Sequence, residues 1–169
     1  MADSESLFLA YRDRLGRYMA RASGSPDRAQ DLVQEVFLRV SRSPAPASET
    51  AQLAPWLFRI ARNVVIDHHR RGQRSPSFAA AHADHPSAPS QETSVALDQA
   101  LALLDGTDRD VFLMREVSGL SYDEIGRACE LSPDAVRSRI YRARLQLRDA
   151  LSSDIAQKRK RPLRQSGRA

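Results

Sequence analysis

Apolar residues recur along the chain at spacings of three and four rather than two, which marks helices with one buried stripe. Leu7, Phe8, Tyr11, Leu15, Tyr18 and Met19 fall on one face of a helix over 4–22. Ser25 and Pro26 read as an N-cap and a first-turn proline, opening a second helix with the stripe Leu32, Val33, Val36, Phe37 and Val40. Residues 43–52, SPAPASETAQ, read as a Pro/Ser loop. Leu53, Trp56, Leu57, Ile60, Ala61, Val64 and Val65 mark a third helix that runs to about Arg71.

The pattern then stops. Residues 72–93 contain three prolines and no Leu, Ile, Val or Met. Such a segment buries too little apolar surface to offset its ordering entropy, so it reads as a flexible linker. Beyond it the helical period resumes in four shorter pieces. Val95, Leu97, Leu101 and Leu104 define one over 94–104, and Thr107 with Asp110 suggests a cap for another over 108–117. Ser121 and Glu124 have capping-box spacing for 122–129. Ser132 and Pro133 open the last, 133–151, with Val136, Ile140, Ala143 and Leu147 on its inner face. The final pair, joined by a three-residue turn, has helix-turn-helix dimensions. The expected fold is all-α: two small helical domains, 1–71 and 94–151, joined by the linker, with a basic, disordered tail over 152–169.

Charge sharpens this outline only when it is read locally. The 169 residues carry a net charge of +5, yet residues 156–169 hold six basic groups and no acid. The remainder sums to 0 over 1–53, +4 over 54–78, −8 over 79–136 and +3 over 137–155. The two positive stretches coincide with the third and last helices. No apolar run approaches the roughly 20 residues of a membrane span. Acids precede the short apolar stretch of the N-terminus, the wrong order for a secretory signal. A lone Cys129 can form neither an internal disulfide nor a cysteine-based zinc site. The expectation is a cytoplasmic protein with no membrane insertion.

On a helical wheel the last helix turns Ser138, Tyr141, Arg142 and Leu145 away from its core side. Arg137, Arg144 and Arg148 lie on one shoulder and Arg139 on the other. A planar guanidinium can engage guanine O6 and N7 bidentately, or a phosphate. In helix-turn-helix docking the N-terminal half of the second helix meets the bases. Arg137, Ser138, Tyr141 and Arg142 are therefore readout candidates, and Arg139, Arg144 and Arg148 phosphate candidates. A solvated helix would mix charge signs, whereas no acid falls between Arg137 and Arg148. The third helix combines Trp56, Phe58, Arg59, Arg62 and Asn63, aromatics for stacking on unpaired bases and arginines for the backbone. The competing reading of its aromatics is plain core packing. His68, His69, His82 and His85 read as solvent-exposed, Cys129 as a buried small apolar residue. No grouping suggests catalysis, a metal site or a cofactor.

Three segments carry a family likeness: DRAQDLVQEVFLRV (27–40), PWLFRIARNVVIDHHRR (55–71) and GLSYDEIGRACELSPDAVRSRIYRARLQLRDAL (119–151). In this order they resemble a bacterial σ70-family RNA polymerase sigma factor of the extracytoplasmic-function (ECF) group, which keeps only regions 2 and 4. The likeness covers about residues 5–151. It implies an alternative sigma factor that binds core polymerase through the β′ clamp helices and the β flap. Asp31, Gln34 and Glu35 correspond to clamp contacts, although Asp31 also suits a helix dipole. The stretch 55–71 corresponds to the part that opens the −10 element and holds a flipped base. Its matched positions Arg62 and Asn63, with Trp56, Arg59, Arg70 and Arg71, would meet single-stranded DNA, and the loop over 43–54 would cradle the base. The last helix would read duplex DNA at the −35 element. The linker would thread toward the active-site and RNA-exit channels. An anti-sigma factor is a further partner the likeness implies. Two other readings stand beside it: a sigma-like decoy that binds protein without initiating, and a plain helix-turn-helix regulator, which leaves 5–71 without a role. Asp134, where the family favours a small residue, leaves the −35 sequence open.

Overall fold

A computed structural model describes residues 4–43, 46, 50–74 and 89–160, and every regular element among them is helical. They are α1 (Ser4–Ala22), α2 (Ala29–Arg42), α3 (Thr50–Arg74), α4 (Pro89–Ala102), α5 (Gly106–Glu116), α6 (Tyr122–Cys129) and α7 (Pro133–Lys160). A single 3-10 turn, Pro26–Arg28, leads into α2.

The stripes read from sequence become the core. Leu15, Tyr18 and Met19 of α1 are fully buried, beside Val36 of α2 and Leu57, Phe58 and Ala61 of α3. In the second unit Val111, Met114, Ile125, Val136, Ile140 and Ala143 are equally buried. Each of the last helix's four expected inner residues is at most 5% exposed.

Boundaries differ from the expectation where local chemistry competes. Ser25 makes no side-chain cap; instead the Ser23 hydroxyl accepts from the Ser25 amide at 3.1 Å. Helix α3 begins at Thr50, inside the expected loop, and carries Pro55 as an interior residue. It ends at Arg74 and α4 begins at Pro89, so both helices extend into the segment read as linker. A proline suits the first helical position because its missing N–H would be unpaired there anyway. Thr107 does not cap α5. The cap is Asp105, whose carboxylate accepts from the Thr107 amide at 3.1 Å. Helix α7 continues nine residues past 151, through part of the expected tail, to Lys160. The remaining linker residues 75–88, with His82 and His85, the tail from 161, and most of the loop over 43–49 lie outside the described residues.

The helix-turn-helix is fixed by four local devices. Ser121 and Glu124 form a reciprocal capping box at the start of α6, with bonds of 3.2 and 2.7 Å. Glu130 ends α6 in the left-handed region at φ 59°, which lets the Leu131 amide reach the Gly126 carbonyl at 2.8 Å. Gly126 is needed for another reason: a Cβ there would lie 2.6 Å from the Leu131 carbonyl oxygen. The Ser132 hydroxyl then caps α7 by accepting from the Ala135 amide at 3.2 Å.

The two helical units do not stand apart. Helix α1 packs on α5 and α3 packs on α6, so the buried residues of both units form one continuous core. Sequence periodicity could not show this, because it marks which side of each helix is apolar and not which helix that side meets.

Candidate nucleic-acid interface

Helix α7 presents the face expected of it. Arg137, Ser138, Tyr141, Arg142, Arg144 and Arg148 are all exposed, and Tyr141 is 64% accessible although aromatic. Arg137 is positioned from two sides. Its guanidinium bonds the Asp134 carboxylate at 2.8 Å and lies over the Tyr122 ring of α6, 5.5 Å from the centroid. Arg139 departs from the expectation of a free phosphate contact: it is half-buried and bonds Asp108 of α5 at 2.5 Å. Arg142 stands 3.6 Å from the same carboxylate, Arg144 pairs with Glu116, and Arg148 pairs with Asp149 at 3.1 Å. The helix itself carries no acid between Arg137 and Arg148, but neighbouring elements supply them.

Helix α3 is arranged differently. Asn63, Arg70 and Arg71 are exposed, and Trp56 is half-buried against the core. Phe58 is not available for stacking: it is fully buried, edge-on to Tyr18 with ring centroids 5.7 Å apart. Arg59 is exposed but donates to the Arg127 carbonyl of α6 at 2.6 Å. Arg62 points into the junction between the units, where its Nε donates to Asp110 of α5 at 2.8 Å.

Asp110 also accepts from the Tyr18 hydroxyl at 3.2 Å. Burial pushes this carboxyl above its ordinary value, and Arg62 and Tyr18 only partly reverse that. Burial works against the Arg62 charge too, yet Asp110 holds that guanidinium above its ordinary value. The Tyr18 phenol is raised well above its usual value, by burial first and by the Asp110 charge second, so it remains a donor. Sequence reading missed Tyr18, Asp108 and Asp110 as polar partners. The acidic stretch over 79–136 was the only signal, and it could not say which acids turn inward.

On the expected polymerase face, Asp31 and Gln34 of α2 are exposed. Glu35 is half-buried and bonds Arg39 at 2.9 Å, and Arg39 also pairs with Asp67 of α3 at 2.9 Å. His68 and His69 are half-buried rather than exposed. His69 Nε2 lies 2.9 Å from the Ala22 carbonyl, tying the end of α3 to the end of α1. Burial, then the adjacent His69, lowers the His68 pKa from its ordinary value. Cys129 is buried as expected, with its Sγ 3.8 Å from the Met114 sulfur.

A helical unit joined to a helix-turn-helix whose second helix exposes a row of arginines defines a DNA-binding protein of two modules. The comparisons specify which. Residues 7–75 match the model of sigma-70 region 2, and residues 94–147 match that of sigma-70 region 4. The chain is 34% identical to the ECF RNA polymerase sigma factor SigE of Mycolicibacterium smegmatis over 93% of its own length and 66% of that protein's. It is 31% identical to the RNA polymerase sigma factor CarQ of Myxococcus xanthus, covering 87% of this chain and 88% of the relative. Among solved structures it resembles the sigma factor RpoE of Bartonella quintana, in a co-crystal with the anti-sigma factor NepR. That match has a TM-score of 0.68 and 26% identity over 91% of this chain and 99% of the other. The chain belongs to the ECF group of sigma-70 family RNA polymerase sigma factors.

Proposed function

We propose that this chain binds core RNA polymerase and directs it to promoters, with α7 reading the −35 element in the major groove and α3 holding the melted −10 strand. The observation that carries the reading is the exposed row Arg137, Ser138, Tyr141 and Arg142 on the N-terminal half of α7. It lies on the part of a helix-turn-helix that meets base edges. Arg144 and Arg148, a turn or more further on, are suited to backbone phosphates. On α3 the groups for the melted strand are Asn63, Arg70 and Arg71, with Trp56, Arg59 and Arg62 beside them. Asp31 and Gln34 supply exposed polar groups to the β′ clamp helices, and Glu35 contributes by positioning Arg39. The second module would meet the β flap.

Bond-making belongs to the polymerase, so the chain's part is recognition and strand separation rather than catalysis. The work takes place in the cytoplasm, and no described helix is long and apolar enough to cross a membrane. An anti-sigma partner is supported by the solved relative, which was captured with one.

Run-off transcription with purified core polymerase, on promoters selected from a random library, tests the reading directly. A decoy would yield no transcript. Arg137→Ala and Arg142→Ala are each expected to weaken holoenzyme binding to the selected −35 duplex by about 1–3 kcal/mol. Unchanged affinity in both would remove α7 from the recognition role.

A further inference from the structure

We propose that Asp134 is a specificity-determining residue of α7, selecting a cytosine beside the base pair that Arg137 reads in duplex DNA. The inference deepens the promoter-binding reading and rests on it, since it names a base that the −35 element must carry. Asp134 is the second residue of α7, and no other acid occurs on that helix before Asp149. Its side chain is 88% exposed, at the end of the helix that also exposes Arg137, Ser138 and Tyr141. The start of the helix is already capped, because the Ser132 hydroxyl accepts from the Ala135 amide at 3.2 Å. Capping therefore does not account for a carboxylate at this place.

The carboxylate and the Arg137 guanidinium form one recognition unit. Asp134 Oδ1 accepts from Arg137 Nη1 at 2.8 Å, and the guanidinium lies over the Tyr122 ring, 5.5 Å from its centroid. The pair spends one oxygen and one nitrogen on each other, which leaves Oδ2 and the other guanidinium N–H groups for base edges. Positions three residues apart share a helix face and are separated by about 4.5 Å along the axis, close to the step of about 3.4 Å between base pairs. An Arg137 that forks onto guanine O6 and N7 therefore puts Asp134 at a neighbouring base pair.

Chemistry chooses the base. A carboxylate in the major groove is repelled by the phosphates that flank it, and a donor on a base edge is needed to offset that cost. The donors in this groove are the cytosine N4 and adenine N6 amino groups, whereas guanine and thymine present acceptors. Adenine N6 stands beside the N7 acceptor, which opposes a carboxylate, and cytosine has no such acceptor on its major-groove edge. Asp134 therefore favours cytosine and penalises the other three bases, so part of its selectivity is repulsion. The adjoining Arg137 charge offsets some of the repulsion from phosphate, and the two side chains enter the groove as a pair.

Selection of −35 duplexes by the holoenzyme from a randomised library, followed by binding to the selected duplex and its single-base-pair variants, tests the assignment. The original chain is expected to bind the selected duplex about fivefold or more tightly than any variant that replaces the cytosine. Asp134→Ala is expected to abolish the preference at that one base pair and keep the others. It is also expected to tighten binding to a random duplex by about two- to fivefold, because a like charge has been removed. Asp134→Asn is expected to move the preference to adenine, whose N6 and N7 a side-chain amide engages bidentately. Arg137→Ala is expected to remove selection at a neighbouring guanine. Circular dichroism is expected to be the same for the original chain and both Asp134 variants, since the side chain is exposed. A uniform loss of affinity for all duplexes in Asp134→Ala, the mark of an acid that only steadies the helix end, overturns the proposal. An unchanged set of base preferences in Asp134→Ala and Asp134→Asn overturns it equally, and leaves the promoter-binding reading standing. An original holoenzyme that selects no −35 sequence refutes that reading itself, and the proposal with it.

Discussion

Helices α3 and α7 both combine an apolar stripe with a row of arginines, yet they handle their polar faces in opposite ways. Helix α7 turns its row outward. Its aromatic group on that side, Tyr141, stands in solvent, and only Arg139 is drawn in. Helix α3 turns part of its row inward: Arg62 is bound to Asp110, Arg59 is bound to the α6 backbone, and Phe58 belongs to the core. The difference teaches that a cationic stripe is a resource that two surfaces can claim. On α7 solvent has most of it, and on α3 the neighbouring module takes Arg59 and Arg62 while Arg70 and Arg71 stay exposed.

The largest test of this contrast is the aromatic pair. Phe58→Ala is expected to cost about 3–5 kcal/mol of stability, as for other fully buried phenylalanines. Tyr141→Ala is expected to change stability by no more than about 0.5 kcal/mol, as for exposed positions, while weakening promoter binding. Urea unfolding followed by circular dichroism measures both. Comparable losses in the two would mean that Tyr141 is not free.

Cys129 reports the same contrast through its chemistry. Burial raises its pKa to about 11, with Asp110 adding to the shift and Arg62, Arg139 and Arg59 opposing it. A thiol raised in this way holds its proton across the neutral range, so the reactive thiolate stays near one part in a thousand at pH 8. Alkylation by iodoacetamide should therefore be about a hundredfold slower than for an ordinary thiol. It should rise about tenfold per pH unit up to the raised value. Asp110→Asn removes a charge that raises this value and should speed the reaction at fixed pH. A rate that is already ordinary in the original chain would mean that α3 does not cover α6 in solution.

A smaller effect separates the arginines themselves. Arg62→Ala leaves Asp110 with Tyr18 alone in a buried site and is expected to lower the stability of the free chain by about 1–3 kcal/mol. Arg142→Ala, exposed and 3.6 Å from its nearest carboxylate, is expected to leave the melting temperature unchanged and act only on promoter affinity. Calorimetry of the two variants side by side makes the comparison. If Arg62→Ala melts like the original chain, Arg62 is as free as Arg142.

Sequence order made the helices legible because each has a stripe that must be buried. Val136, Ile140, Ala143 and Leu147 of α7 were found without error, and so was the Ser121–Glu124 box, since its two bonds are local. The ends were harder. The residues before Leu53 read as loop, yet α3 begins at Thr50 and holds Pro55 inside it, and α7 runs to Lys160 because neither proline nor glycine interrupts it. The exposed recognition row was legible for the same reason as the core, being its complement on one wheel. Arg62 and Arg139 were assigned to DNA from chemistry that suits DNA, and Phe58 was left open between DNA and the core, because their partners Asp110, Asp108 and Tyr18 lie 31 to 48 residues away. A helical period records which side of a helix is polar. It does not record whether water, DNA or another helix meets that side.

The finest distinction lies within α7, between an arginine that is held and one that is loose. Arg137 rests over the Tyr122 ring, which carries Arg115 as a second cation 5.0 Å from its centroid, and Asp134 fixes its other side. A guanidinium held in place before binding loses less freedom when it meets a base, so the ring contributes to affinity without touching DNA. Tyr122→Leu keeps the apolar body and removes the ring face. It is expected to weaken the holoenzyme's hold on the −35 duplex by about 0.5–1 kcal/mol, the worth of an exposed cation–π contact. Tyr122→Phe keeps the face and should bind as the original does. Combining Tyr122→Leu with Arg137→Ala should add nothing to Arg137→Ala alone, whereas combining it with Arg142→Ala should be additive, since Arg142 has no ring beneath it among the described residues. Full additivity in both pairs would mean that Tyr122 acts on α6 packing and not through Arg137.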